Sequence, residues 1–329
     1  MDIAIAGAGI GGPAAGAMLA QAGHDVTIYD QFAAPAPVGS GLVIQPVGPN
    51  DTPGLAIHRS ALFATLHGVA VAAGVKVVPG HKVIGAQAGR LHFEGGGVAD
   101  PADLVIDASG ARSTISPLRA RDLPHAAIWG TVDWPDGCGL PVDELTQRYR
   151  RADRMIGVLP IGTLPGETTG KAAIFWSLPR DGHEVWVRCG LDGWRDEVRA
   201  LWPEFAPFAE QITEPAQMAM AHYSRGTLRR PWGEKLAIIG DAAHRASPQL
   251  GQSANMALLD AAALAAALEH TDGAAALRLY AAARRWHVRV YQAMSWAFTP
   301  QYQSDSRILP VLRTGCFIRS VACRRCRRC

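Results

Sequence analysis

The 329-residue sequence lacks the marks of several protein classes. Only 7% of its residues are aromatic and 19% are charged, while 48% are hydrophobic, which argues against a disordered chain or a coiled coil. No apolar run reaches the roughly 18 residues of a membrane span, and the nearest candidate, residues 256–268, is broken by Asp260. A secretory leader with a basic start and a cleavage site is also missing. We therefore expect a soluble protein of the cytoplasm with no membrane partner.

Cysteine is scarce outside the carboxyl-terminal tail, residues 313–329. This tail holds four of the six cysteines and six arginines without an acidic residue, so the other 312 residues carry a net charge of −3 although the whole chain carries +3. One hypothesis is a metal site formed by Cys323, Cys326 and Cys329, but no fourth ligand is spaced for zinc. Another is that the basic tail binds phosphate groups. We interpret the tail as disordered or as a reading-frame accident, and predict no metal and no nucleic-acid partner.

The amino-terminal part alternates strands and helices. A strand at 3–6, an alanine-rich helix at 13–22 and a strand at 26–29 form a unit that requires a parallel sheet. Similar elements follow: a short strand at 42–45, a helix at 60–73, strands at 75–78 and 104–107, a hairpin within 81–93, and helices at 253–268 and 274–298.

The middle of the chain has a different pattern. Strands at 126–132, 155–159, 172–178 and 184–189 follow one another without long helices, and a short amphipathic helix at 193–202 closes the segment. The sequence thus predicts an α/β fold in which residues 1–120 and 221–312 form a Rossmann-like domain. An antiparallel sheet domain, residues 121–220, is inserted into it.

The first chemical motif is Gly7-x-Gly9-x-x-Gly12, between a strand and a helix, with Asp30 at the end of the next strand. The glycines permit a tight turn, a close pyrophosphate and a close helix, while the acid can accept from a ribose hydroxyl. The helix start adds free amides and a positive dipole end. The motif predicts a dinucleotide without deciding between NAD and FAD.

A second motif follows the strand at 236–239 and runs from Gly240-Asp241 through His244, Pro248 and Gly251 to the start of a helix. Four further segments accompany this motif: PVGSGLVIQP at 37–46, the His58-Arg59 pair, DLVIDASGARS at 103–113 and residues 302–307. Together with the motif, they make the sequence similar to the para-hydroxybenzoate hydroxylase-type (class A) flavoprotein monooxygenases. The resemblance extends over residues 1 to about 312.

This resemblance implies FAD as cofactor and the following cofactor-binding residues: Gly7, Gly9, Gly12, Asp30, Arg59, Asp107, Gly240, Asp241, Pro248, Gly251, Ser253, Ala254 and Asn255. Asp241 can accept from a ribityl hydroxyl, Pro248 offers a rigid segment to the ring, and the helix start near Ser253 can stabilise negative charge on reduced flavin. His244 could serve packing as well as chemistry, and Arg59 could be an ordinary arginine at a helix start.

The resemblance also implies flavin-borne chemistry, with no catalytic side chain from the protein. NADPH or NADH reduces the flavin, dioxygen adds at its C4a carbon, and the hydroperoxide delivers one oxygen atom to a small aromatic or polyketide-like substrate. Candidate lining residues beneath the second sheet are Gln45, Trp129, Phe175 and Trp176, although each of them fits a core position better than a substrate contact.

Three departures from the family pattern bear on activity. Ser109-Gly110 stands where relatives carry Asp-Gly, which favours an alternative FAD oxidoreductase without oxygen insertion. Ser253 replaces a glycine. A long segment that relatives place between Pro46 and His58 is missing, and an open site would let the hydroperoxide decay to peroxide. A flavin-binding remnant with compromised catalysis is therefore a further alternative.

Overall fold

The structure is a computed structural model that describes residues 1–33, 41–44, 54–164, 166–311 and 313. The candidate residue Gln45, part of the segment 37–46 and the cysteine-rich part of the tail lie outside the described residues. None of the helices in the described part is long and apolar enough to cross a membrane.

The strands are short and number in chain order as follows: β1 (Asp2–Ala6), β2 (Asp25–Tyr29), β3 (Gly41–Ile44), β4 (Leu55–His58), β5 (Lys76–Val78), β6 (Val83–Gln87), β7 (Arg90–Phe93), β8 (Leu104–Asp107), β9 (Arg121–Asp122), β10 (His125–Asp133), β11 (Thr146–Arg150), β12 (Arg154–Pro160), β13 (Lys171–Pro179), β14 (Ala219–Ala221), β15 (Ser224–Thr227), β16 (Trp232–Gly233), β17 (Leu236–Ile238) and β18 (His244–Arg245).

The helices are α1 (Gly11–Gln21), α2 (Arg59–Ala72), α3 (His183–Leu201), α4 (Ala206–Ala209), α5 (Ser253–His270) and α6 (Gly273–Tyr302). Helix α3 consists of two pieces, because Gly190 between them has φ 76° and ψ 166°, outside the helical region.

Backbone contacts divide the chain into two compact units. The first contains Met1–Arg121 with Ser224–Gln292, and the second contains Asp122–Tyr223 with the described residues from Ala293 onward. The sequence prediction assigned residues up to 312 to the first domain. In the structure the end of this segment bonds within the second unit, where the Ser304 amide donates to the Ala152 carbonyl at 3.0 Å.

The first unit is built on a six-stranded sheet with the order β16-β17-β8-β1-β2-β5. All neighbouring strands are parallel except β16 and β17. Alternate residues of β1 point to opposite faces: Ile3 and Ile5 pack with α1 and α5, whereas Ala4 and Ala6 pack beneath the β6–β7 hairpin. Helices therefore cover one face, as a parallel sheet requires.

The second unit contains an antiparallel sheet with the order β11-β12-β13-β10-β14. One face is covered by α3 and the short helices that follow, through an aromatic-rich core that includes Trp176, Trp194 and Phe208. The α/β fold with an inserted antiparallel sheet is as the sequence predicts. The edge strands β11 and β14 were not identified from the sequence, because one is polar and the other has three residues.

One predicted strand is wrong. Residues 184–189 lie in α3, not in a strand, and the helix begins well before the predicted residue 193. The β-branched Val185 and Val187 favour a strand locally. However, Trp186 is buried against Trp194 at a ring distance of 6.0 Å across the break at Gly190, and helical spacing places Trp194 and Val198 on one face of the second piece. Packing therefore overrides the local preference.

Candidate functional site

The predicted site residues of the first unit gather at one edge of its sheet. In the parallel register Ala6 lies opposite Tyr29 and Asp107, and Asp107 lies opposite Ile238. The strands β1, β2, β8 and β17 thus end side by side, and both glycine motifs continue directly from these ends. Ligands of open α/β sheets bind at this edge.

The three glycines of the first motif have distinct surroundings. Gly7 has φ 99°, and a Cβ there would lie 2.7 Å from the Ser109 Cα. A Cβ on Gly12 would lie 2.0 Å from the Gly7 carbonyl oxygen, so this glycine lets α1 start against the strand. A Cβ on Gly9 would meet nothing within 4 Å. The loop is closed at two glycines and open at the middle one, which fits a cradle for a pyrophosphate.

Asp30 is tied to this loop. Its Oδ2 accepts from the Ala8 amide at 2.7 Å, and its Oδ1 accepts from the Phe32 amide at 3.0 Å. The side chain is partly exposed, so both oxygens retain lone pairs for a further donor such as a ribose hydroxyl. Beside it, the first-turn amides of α1 have no acceptor within the helix.

Asp107, at the end of β8, is buried beneath the turn that follows this strand. Its carboxylate is completely buried and accepts from the amide and hydroxyl of Ser109 at 3.1 and 2.5 Å and from the Ser113 hydroxyl at 2.5 Å. Burial raises the pKa of Asp107, against the lowering effect of these hydrogen bonds. Asp107 supports the turn after β8 from below and presents no exposed atom to a ligand. Its predicted contact with the cofactor stays a prediction.

Arg59 lies near the second motif although it is distant in sequence. It is the first residue of α2, exposed, and follows His58, whose Nδ1 caps the helix by accepting from the Ser60 amide at 3.1 Å. Its positive charge acts on Asp241: burial raises the pKa of Asp241, while the charges of His244, Arg59 and Arg245 oppose this rise. The fold therefore brings a cation and an anion of the predicted set together.

The second motif forms two tight turns in succession. Gly240, with φ 60°, begins the turn that carries the half-buried Asp241. A second turn, Pro248–Leu250, ends at Gly251, also at φ 60°, and a Cβ there would meet nothing within 4 Å. Helix α5 begins two residues later with Ser253, Ala254 and Asn255, of which the last two are buried. This arrangement leaves an open backbone segment directly before a helix start.

Sequence reasoning missed two residues beneath this motif, Asp260 and Arg284. The buried Asp260 carboxylate accepts from the Gly240 amide at 2.8 Å, from Nε2 of His244 at 2.6 Å and from Nε of Arg284 at 2.7 Å. The available signal was the single acid in the otherwise apolar segment 256–268. Its partners could not be identified, because they lie on three separate elements.

The candidate lining residues of the second unit separate into two faces of its sheet. Trp129 lies opposite Phe175 in the register of β10 and β13, with ring centroids 4.5 Å apart. Trp176, one residue on, points to the other face and packs in the core against Trp194 at 6.4 Å. Trp176 is therefore a core residue.

The Trp129 face contains a tyrosine that the sequence did not indicate. Nε1 of Trp129 donates to the Tyr223 hydroxyl oxygen at 2.8 Å, and burial raises the pKa of Tyr223 to about 12. The tyrosine is thus neutral and keeps its own O–H for a further acceptor. Gly157 makes room for this face, since a Cβ there would lie 2.2 Å from Cζ of Phe175.

Comparisons with known proteins indicate the same cofactor, FAD. The family model described as "FAD binding domain" matches residues 183–296. The 6-hydroxynicotinate 3-monooxygenase of Bordetella bronchiseptica is 27% identical over 350 aligned positions, covering 84% of this chain and 86% of that protein. The 3-amino-4-hydroxybenzoate 2-monooxygenase of Streptomyces cremeus is 26% identical, covering 83% and 79%.

A solved structure, Klebsiella pneumoniae HpxO complexed with FAD and uric acid, superposes with a TM-score of 0.77 at 19% identity, covering 95% of this chain and 91% of that one. This likeness supports the fold. The resemblance predicted from the sequence motifs is confirmed: the chain is similar to the class A FAD-dependent monooxygenases, the para-hydroxybenzoate hydroxylase-like family.

Proposed function

We propose that this chain hydroxylates a small aromatic substrate, using FAD, NAD(P)H and dioxygen, and that the residues at the sheet edge hold the cofactor. The reaction class and the cofactor follow from the family. The observation that carries the residue assignment is the edge itself, where the two glycine motifs leave β1 and β17, the strands on either side of β8. When bound, FAD takes a hydride from NAD(P)H and activates dioxygen for transfer of one oxygen atom.

The first motif holds the adenosine half of the cofactor in this proposal. The open space at Gly9 admits the pyrophosphate, and the first-turn amides of α1 donate to it. Asp30 accepts from the ribose, because its oxygens are oriented by the Ala8 and Phe32 amides and remain partly exposed. Gly7 and Gly12 serve this geometry indirectly by letting strand, loop and helix approach one another.

The second motif holds the flavin half. Asp241 accepts from a ribityl hydroxyl, and Arg59, whose charge acts on Asp241, contacts the same half of the cofactor. The turn from Pro248 to Gly251 lies against the ring, where Gly251 leaves the backbone uncovered. The amides at the start of α5, residues 253–255, stabilise negative charge on the reduced ring.

The aromatic face of the second unit binds the substrate. Trp129 provides a partly exposed ring that packs on the buried Phe175, and Tyr223 provides one hydroxyl donor that stays protonated at physiological pH. This combination suits a small aromatic ring with an oxygen acceptor. The named relatives act on 6-hydroxynicotinate and 3-amino-4-hydroxybenzoate, and we propose a ring of this class for the present chain.

One observation favours a second outcome, oxidation of NAD(P)H with release of hydrogen peroxide. Strands β3 and β4 pair directly, with Gly41 opposite His58 and Ile44 opposite Leu55, so a short connection joins them. The alignment with the Bordetella relative spans more positions than this chain has residues, so that relative contains segments without a counterpart here. A site with less cover admits water, which favours unproductive oxygen reduction.

Turnover assays of the full chain test the proposal. Purified protein is expected to be yellow and to release FAD on denaturation, and a protein that neither contains nor takes up FAD would overturn it. Oxidation of NADH and of NADPH, dioxygen uptake and peroxide release are measured with and without 6-hydroxynicotinate, 3-amino-4-hydroxybenzoate and urate. A product that carries one atom from labelled dioxygen supports hydroxylation, whereas peroxide equal to the nicotinamide consumed supports the second outcome.

Tyr223→Phe tests the substrate face in the same assay. We expect a higher KM with little change in kcat, because the change removes only the hydroxyl that orients the ring. Tyr149→Phe is the matched control, since this half-buried tyrosine lies on the edge strand β11 and packs on Tyr302. We further propose that the first unit, Met1–Arg121 with Ser224–Gln292, is the FAD-binding domain and that the sheet of Asp122–Tyr223 belongs to the substrate domain. The protein acts in the cytoplasm on small molecules in this proposal, without nucleic-acid or membrane partners.

A further inference from the structure

The carboxylate of Asp260 joins three separate elements beneath the second motif. It lies in the middle of α5 with no exposed surface, and it holds the turn amide of Gly240, the imidazole of His244 and the guanidinium of Arg284. An ionised carboxylate is strongly disfavoured in a protein interior unless donors surround it. Here both oxygens have donors, and two of these belong to the segment that carries Asp241.

The guanidinium of Arg284 is itself held from several sides. Its Nη1 donates to Nδ1 of His287 at 2.6 Å, and its Nη2 contacts the Met256 sulfur at 3.4 Å. One turn earlier on α6, the Tyr280 hydroxyl donates to the Ile238 carbonyl at 2.9 Å, directly before the motif. Helix α6 therefore fixes the end of β17 and the buried carboxylate together.

Charged and titratable groups approach this cluster from each element packed around it. They are Asp241 on the turn, His244 and Arg245 on β18, Arg59 on α2, Tyr280, Arg284 and His287 on α6, and Tyr291 further along α6.

Two cations contact the buried Asp260 carboxylate. Burial by itself lowers the pKa of His244, but the charge and hydrogen bond of Asp260 and the charge of Asp241 outweigh it, so the pKa is raised. Burial likewise disfavours the ionised Asp260, yet His244 and Arg284 hold the pKa of its carboxyl below its usual range. The Asp260 carboxylate thus contacts two cations, the His244 imidazolium and the Arg284 guanidinium, and loss of the imidazolium charge removes one of them.

We propose that Asp260 is a positioning residue of the flavin site, and that the protonated His244 it holds supplies the positive charge that lets the neighbouring flavin accept electrons. The proposal rests on the assignment of the Gly240–His244 turn to FAD. Asp260 acts through two routes, the backbone of the turn and the charge of the imidazole, and only the second affects the reduction potential.

A double-mutant cycle separates these routes. His244→Gln leaves Asp260 with one cation fewer, so we expect reduced flavin to bind about tenfold more weakly relative to oxidised flavin, which lowers the two-electron midpoint potential by about 30 mV. The double variant, which combines Asp260→Asn with His244→Gln, loses one negative and one positive charge. We therefore expect its two-electron midpoint potential to return close to that of the wild type. Glu269→Gln is the control, an exposed carboxylate on the same helix.

The measurements are made on the FAD-loaded protein and on the apoprotein. Spectroelectrochemical titration of the five proteins (wild type, the two single variants, the double variant and the control) gives the potentials. NMR of the apoprotein gives the pKa of His244 in the wild type and in Asp260→Asn, where we expect the proton affinity of His244 to fall more than tenfold. A merely structural role would lower FAD affinity in both single variants and most in the double variant, without restoring the potential.

Each outcome decides the proposal. Restoration of the potential in the double variant supports it, and equal potentials in the wild type and His244→Gln overturn it. If Asp260→Asn does not fold, His244→Gln alone carries the test, since an unchanged potential in that variant overturns the charge role. Wild-type protein that takes up no FAD would overturn the proposed function and this inference with it, whereas FAD binding with an insensitive potential would overturn this inference alone.

Discussion

Alanine at Gly12 places a methyl group where the fold has no room for one. Its carbon would lie 2.0 Å from the Gly7 carbonyl oxygen, at least 1.4 Å closer than ordinary van der Waals contact, which begins at 3.4 Å. The neighbour is backbone and cannot rotate away as a side chain would, so α1 must shift from β1. Overpacking of this kind lowers the free energy of unfolding by about 1–3 kcal/mol. Because the neighbour here is backbone, we expect a loss at the upper end of this range, about 3 kcal/mol. We expect a clearly less stable apoprotein.

Alanine at Gly9 is the matched variant on the same loop. Its methyl group would meet no protein atom within 4 Å, and the residue has an ordinary negative φ, so the apoprotein is expected to keep its stability or gain about 0.4–1 kcal/mol. The same methyl group occupies the space assigned to the pyrophosphate. We therefore expect FAD to bind at least tenfold more weakly, which corresponds to about 1.4 kcal/mol.

Two titrations check this pair. Urea unfolding of the apoproteins, followed by circular dichroism, measures the loss in Gly12→Ala, and quenching of flavin fluorescence measures FAD affinity in Gly9→Ala. The opposite pattern, with a stable Gly12→Ala apoprotein or with wild-type FAD affinity in Gly9→Ala, would refute the reasoning about the loop.

Three further predictions concern single side chains. Asp30→Asn is expected to weaken FAD binding about tenfold, since a charged acceptor contributes about 1.5–3 kcal/mol, and calorimetric titration with FAD measures it; unchanged affinity would remove Asp30 from the site. Trp129→Phe frees the Tyr223 hydroxyl from its donor and is expected to cost about 1 kcal/mol in urea unfolding, a loss that should disappear in the Tyr223→Phe background. In the His244–Asp260 pair the pKa of His244 is raised and the pKa of Asp260 is lowered, so the pair stabilises the fold fully between about pH 3.8 and pH 6.5. This stabilisation declines as the pH rises through the folded pKa of His244, and it declines as the pH falls through the folded pKa of Asp260. The stability difference between wild type and Asp260→Asn, measured by urea unfolding across pH, should be largest in that window, and a difference that keeps growing above it would contradict the assignment.

The fold class and the cofactor motif were predictable because their signals are local. A glycine at φ 99° and a glycine packed on a carbonyl are backbone requirements, and they leave glycine letters at fixed spacing in the sequence. The strand 104–107 is predicted to the residue because four consecutive buried side chains make one short apolar run. Asp30 was identifiable because it follows such a run.

Other features depended on partners that are distant in sequence. The segment 184–189 has strand-forming valines, yet the burial of Trp186 against Trp194 makes it helical. Trp176 and Phe175 are adjacent letters of the same type, and only the pairing of β13 with β10 shows that one belongs to the core and the other to the opposite face.

The sequence by itself determined the strand–turn–helix units and the tight glycine turns, because steric limits on the backbone act between residues close along the chain. The tertiary structure alone decided the role of Asp260, which in the sequence is one acid within an apolar run. Its donors come from β18, α6 and the turn at Gly240, and a buried charge is stable only where folding brings such groups within hydrogen-bond distance.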